Sequence, residues 1–85
     1  MSSSLPHADA RATEVRVSDD ELLVSLEDGR RIGVPLAWFP RLLAATPSQR
    51  AHFEILGEGR GIHWPEVDED ISVAALLRGS RSAGG

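Results

Sequence analysis

A chain of 85 residues with a formal charge of −4 has room for one domain, and a core that small gains from a partner subunit. It contains no cysteine, which excludes disulfides, thiolate zinc sites and a cysteine nucleophile, and leaves secretion without support. The acidic balance is wrong for a nonspecific nucleic-acid binder, which needs a basic face to displace counterions.

All nine basic residues are Arg. Arg forks suit phosphate and carboxylate partners, but the abundance of Ala, Gly and Arg reads more simply as biased composition. The opening M-S-S-S-L-P-H-A-D-A-R-A lacks the apolar core of a signal peptide, and no apolar run approaches membrane-spanning length. A soluble cytoplasmic protein is therefore expected, with no membrane attachment. Residues 1–11 and 80–85, rich in Ser, Ala and Gly, read as flexible tails. A single α+β domain is expected over residues 12–79.

The first half of that domain reads as a three-stranded antiparallel meander. Val15 and Val17 alternate with polar neighbours, as do Leu22, Val24 and Leu26, and then Ile32 and Val34. A two-residue turn at Asp19-Asp20 sets Val17 opposite Leu22 and Val15 opposite Val24. Asp28-Gly29 ordinarily signals a two-residue loop, which would set Ile32 opposite Ser25. A three-residue loop with Gly29 left-handed sets Ile32 opposite Val24 and Val34 opposite Leu22 instead. Only the second register keeps one face apolar, so the longer loop is expected. Glu14, Arg16, Glu27 and Arg31 then fall on the wet side.

Two short helices follow. In P-L-A-W-F-P-R-L-L-A-A, Trp38, Leu42 and Ala45 recur at helical spacing, as do Phe39 and Leu43, and Pro40 is acceptable in a first turn. Thr46-Pro47-Ser48-Gln49 has the pattern of a capping box and opens a helix to about Phe53. Glu54-Ile55-Leu56 and Ile62-His63-Trp64 then read as a second hairpin around G-E-G-R-G. That loop lacks the Lys and Ser/Thr of a phosphate-binding loop and reads as a flexible connection.

The densest group of reactive side chains lies in H-W-P-E-V-D-E-D, residues 63–70. Trp64 alternates with Ile62 and is expected in the core, its indole N–H on a nearby carbonyl. Pro65 ends the strand. Ser72 is a good N-cap for a C-terminal helix, with Ile71 stapling onto Leu76 and Gly79 as terminator. Glu69 and Asp70 then precede a helix N-terminus, where negative charge is favoured.

Functional readings of the same residues are thinner. His63 with Glu66, Asp68 and Asp70 offers one nitrogen ligand and no complete zinc or calcium pattern, so no metal or cofactor is expected. Glu66 as acid with His63 as base, or Ser72 as nucleophile, lacks an identifiable oxyanion site. No catalytic residue is assigned. The remaining candidate is an acidic surface of Glu66, Asp68 and Glu69, suited to a basic partner. Gly29, Trp38, Trp64, Pro65 and Ser72 are expected to be structural.

V-P-L-A-W-F-P-R-L-L-A-A-T-P, followed by G-E-G-R-G-I-H-W-P-E-V-D-E-D-I-S-V-A-A-L-L, resembles the bacterial domain of unknown function 2442 family over roughly Thr13 to Gly79. The resemblance implies a compact α+β domain, sometimes joined to a helix-turn-helix. It also implies a neighbouring small protein, in loci proposed as toxin–antitoxin modules. This sequence ends soon after the second motif, so a role resting on such an attachment is not expected of it. The first expectation is a non-enzymatic interaction module, antitoxin-like, masking a basic partner by charge complementarity. The second is a DNA-binding transcriptional autoregulator. The third is a small enzyme or metal protein centred on His63.

Overall fold

The computed structural model describes residues 10–79, so the tails expected at 1–11 and 80–85 lie, apart from residues 10 and 11, outside the described residues. The chain is an α+β fold. Strands β1 (Ala12–Val17), β2 (Glu21–Leu26) and β3 (Arg31–Pro35) lead through a 3-10 turn (Leu36–Trp38) into α1 (Pro40–Leu43) and α2 (Pro47–Ala51). Strands β4 (Glu54–Leu56), β5 (Gly61–Trp64) and β6 (Glu69–Ser72) follow, and α3 (Val73–Arg78) ends the described fold. The strands make two antiparallel meanders, β1-β2-β3 and β4-β5-β6.

In the first sheet, Val17 lies opposite Leu22 and Val15 opposite Val24. Ser18 makes this tight turn: its hydroxyl accepts from Glu21 N–H at 3.0 Å, and its own N–H donates to the Glu21 carbonyl at 2.9 Å. Beyond the second turn, Ile32 faces Val24 and Val34 faces Leu22, the register of the longer loop. Gly29 has φ +96°, a conformation that glycine enters without steric cost. Asp28 accepts from Arg30 N–H at 3.0 Å, and that bond holds its carboxyl below the ordinary value. The resulting face, with Val15, Leu22, Val24 and Val34 buried, is one wall of the core.

The helical connection departs from a continuous helical stripe. Leu36, Phe39, Leu42 and Ala45 are buried, Trp38 is half-buried against the core and Leu43 is exposed. A break at Phe39 (φ −126°, ψ 83°) separates the 3-10 turn from α1, where Pro40 takes the first helical position. The 3-10 turn and the break advance the chain at close to three residues per turn, so every third residue faces inward. In α2 both halves of the capping box form: Gln49 N–H donates to Thr46 Oγ1 and Thr46 N–H to Gln49 Oε1. That helix ends at Ala51, two residues before the expected Phe53.

The expected second hairpin is present, and a third strand, β6, extends it. Its core face carries Ile62, Trp64 and Ile71, all buried, and these join the first sheet and Leu36, Phe39 and Leu42 in one cluster. The G-E-G-R-G loop, expected to be flexible, is a turn docked on the start of β1. Gly59 is buried with φ +93°, and a Cβ there would lie 2.8 Å from the Ala12 carbonyl oxygen. No side chain fits that approach, so the glycine is a packing residue. At the end of β6, Ser72 Oγ accepts from Ala75 N–H at 3.3 Å, and Gly79 (φ +81°) closes α3 by donating to the Leu76 carbonyl. Among the described residues no helix is long and apolar enough to cross a membrane.

Candidate functional site

Antiparallel pairing places directly opposite residues on one face of a sheet. In the second sheet, Glu54 pairs with His63 and His63 with Asp70, so these three side chains form a row on the outer face. Leu56, Gly61 and Ser72 form the adjacent row. The His63 Nδ1 to Asp70 Oδ1 distance is 2.6 Å, with the Asp70 side chain 74% exposed. His52, just before β4, meets Glu66 in the β5–β6 turn at 2.5 Å through its own Nδ1. Each imidazole is thus oriented by a carboxylate, and the two contacts fasten β5 to β6 and the entrance of β4 to the turn.

That turn, Pro65 to Asp68, begins at Pro65 as expected. It ends with Asp68 at φ +55°, a left-handed position that Asp tolerates better than most residues. Arg41 of α1 donates to the Asp68 carbonyl at 2.6 Å and so anchors the turn from the other side. Glu66 and Asp68 are exposed.

Glu69 is not part of this surface. Expected as an exposed carboxylate before a helix, it is instead a strand residue opposite Trp64, on the core face and only 5% exposed. Burial pushes its carboxyl above the ordinary glutamate value, against the pull of nearby Arg41, while the negative charges of Asp70 and Asp68 raise it further. Asp70 likewise sits mid-strand, paired with His63, rather than at a helix entrance. Of the acids on β4, β6 and the β5–β6 turn, Glu54, Glu66, Asp68 and Asp70 are exposed and Glu69 is not, so the partner-facing candidates Glu66, Asp68 and Glu69 reduce to the first two.

Trp64 is fully buried. Its indole N–H donates to the Arg50 carbonyl at 3.0 Å, and its ring lies 6.0 Å from that of Phe53, centroid to centroid. Arg50 itself was not singled out by the sequence. Its guanidinium donates to the Leu42 and Leu43 carbonyls at 2.9 Å each and to Asp19 at 3.1 Å. One buried fork thus satisfies the end of α1, ties it to the β1–β2 turn, and offers its backbone to Trp64. Only the pairing of long-range elements reveals this, since nothing local distinguishes Arg50 from the other Arg residues. Nothing local marks Glu54 or His52 either. A β4–β5 loop that ends before Gly61 is what sets Glu54 beside His63.

The His63–Asp70 pair has the base-and-orienter form seen in nucleophilic sites, and Ser72 lies two residues along on the same face. The Ser72 hydroxyl, however, caps α3 and makes no hydrogen bond to His63 among the described contacts. Among the described residues no three His, Asp or Glu side chains converge as metal ligands. The arrangement orients two imidazoles among four accessible carboxylates, a surface suited to electrostatic recognition.

A solved protein of unknown function from Rhodospirillum rubrum ATCC 11170 is similar to this chain at 31% identity, with a TM-score of 0.77, over 88% of this chain and 93% of its own. An uncharacterized protein from Chromobacterium violaceum, solved by solution NMR, shares the fold at a TM-score of 0.73 and 24% identity, over 91% of this chain and 72% of its own. No curated protein matches. The model of the family described as protein of unknown function (DUF2442) matches residues 12–82, and this chain belongs to that family.

Proposed function

We propose that this chain is a non-enzymatic protein-interaction module, an antitoxin-like component of a two-protein bacterial locus, whose second sheet presents an acidic face to a basic partner. The observation that carries the reading is the placement of Glu54, Glu66, Asp68 and Asp70, all exposed, on the outer row and turn of one small sheet. The net charge of −4 reinforces it at a distance. Complementary charge of this kind raises encounter rate and discriminates among partners more than it deepens affinity.

The test is association kinetics with the protein encoded beside this one. Glu54→Gln, Glu66→Gln and Asp68→Asn together remove three negative charges while keeping side-chain shape, and Asn keeps the tolerance for positive φ at position 68. Glu69 is left alone because it is buried. The triple variant is expected to associate about tenfold more slowly at low salt, and the difference should shrink as ionic strength rises. An unchanged rate, with the fold intact by circular dichroism, refutes the reading. The same variant answers the DNA-binding alternative, for which loss of negative charge leaves duplex affinity unchanged or raises it.

A further inference from the structure

Two of the exposed acids of the second sheet hold an imidazole, Glu66 that of His52 and Asp70 that of His63, each through Nδ1. Both rings reach water: the His52 side chain is 58% exposed and that of His63 26%. Imidazole is the side chain whose ordinary charge change falls between about pH 5 and pH 8. Ion pairs at a surface contribute little to stability, so protons can come and go without unfolding the sheet. What changes is the field outside it. A neutral ring leaves the charge of its carboxylate whole, and a protonated ring offsets it at contact distance.

We propose that His52 and His63 make the acidic face pH-dependent: with both rings neutral the face attracts a basic partner, and protonation of the rings weakens that attraction. The inference rests on the acidic-face reading and adds its regulation. The surrounding charges fix the sign. His63 has Glu54 opposite it on β4 and Asp70 opposite it on β6. His52 meets Glu66, with Asp68 in the same turn. Two cations stand nearby: Arg60 lines the same shallow depression as Asp70, and Arg41 is bound to the Asp68 carbonyl. Arginines stay charged throughout this range, and Glu69 lies on the opposite, core face of β6. Across the imidazole range the charge of the outer face therefore changes at the two rings. Binding of a cation is favoured above that range and weakens as pH falls through it, and a bound cation opposes ring protonation to the same extent.

A blocked peptide, acetyl-Gly-Arg-Gly-Arg-Gly-Arg-Gly-amide, has no group that titrates in this range and serves as the basic probe. It is titrated into the full chain at low salt, at about pH 8 and about pH 5.5, with affinity read from backbone amide NMR shifts. The wild type is expected to bind about fivefold more weakly at the lower pH, the low end of coupling between sites. In a double variant, His52→Asn with His63→Asn, each Asn offers an amide N–H in place of the ring and takes up no proton. Its affinity is expected to match the high-pH wild-type value at both pH values. Should the double variant not fold, the wild type answers alone: saturating peptide is expected to lower the pH at which the ring C–H signals of His52 and His63 titrate.

Equal wild-type affinity at the two pH values, or ring titrations unmoved by peptide, overturns the proposal. A pH dependence of wild-type size in the double variant also overturns it, since the cause would then be His7, Glu69 or another carboxylate. If the wild type is indifferent to pH while the charge-neutralised triple variant no longer binds, the pH dependence fails and the acidic face stands. If the triple variant binds as tightly as the wild type at the higher pH, or if neither binds the peptide, both readings fail.

Discussion

The β1–β2–β3 and β4–β5–β6 sheets have the same strand count and the same antiparallel order, yet they sit differently in the fold. The first buries Val15, Leu22, Val24, Leu26 and Val34 on one face, and its wet face mixes signs, with Glu14 and Arg16 paired at 3.2 Å and Arg31 nearby. The second buries Ile62, Trp64 and Ile71. Its outer row places acids on both sides of His63, and β4 is exposed at all three positions. Charges that neutralise one another locally serve solubility. Under the proposed function the first sheet serves as scaffold and the second, with its row of acids around His63, is the surface that a partner would meet.

The comparison is broken most forcefully through Trp64, the largest of the side chains by which the second sheet enters the core. Trp64→Ala removes a fully buried ring and orphans the Arg50 carbonyl, with an expected loss of about 3–5 kcal/mol in a denaturant melt. A loss below about 1 kcal/mol would show that the second sheet is not held by the core. Gly59→Ala tests the joint between the sheets, because it forces a methyl against the Ala12 carbonyl at a positive φ. About 2–3 kcal/mol of destabilisation is expected in the same melt, from strain and overpacking together. A neutral result would show that the turn moves freely.

Arg50→Lys asks whether the link between α1 and the first sheet needs a planar fork. Lys keeps the charge but cannot donate to the Leu42 and Leu43 carbonyls and Asp19 in the same geometry. A loss of about 1–2 kcal/mol is expected, and full stability in thermal unfolding would show that charge alone suffices.

The smallest effect sharpens the contrast at Glu69, an acid on the core face of the second sheet. Its carboxyl is raised in the folded state, so the native protein binds more protons than the unfolded chain in the window above the ordinary glutamate value. Stability from this group is present below that window and declines as pH rises through the folded value. Glu69→Gln is therefore expected to be more stable than the wild type at neutral pH, with the advantage fading on acidification. Urea melts across that range measure it. An unchanged or opposite pH trend would mean that Arg41 compensates the buried charge.

The first sheet was legible because its cause is local: alternating side chains and a choice between two loop lengths allow only one register with an apolar face, and Val24 opposite Ile32 follows. Caps were legible for the same reason, since Thr46, Gln49 and Ser72 act within three residues of themselves. Strand β6 was not, because Glu69-Asp70-Ile71-Ser72 holds one apolar residue and two poor strand formers. Pairing with β5 supplies what their propensity lacks, and it turns Glu69 inward and Asp70 toward His63. The amino-acid sequence alone thus determined the elements whose energetics close within a few residues: turns, caps, one sheet register, and Trp64 as core. The tertiary structure decided which acids reach solvent, which Arg is buried, and which acids meet an imidazole. Those outcomes depend on partners distant in the chain, and no local pattern encodes the face that a distant strand will cover.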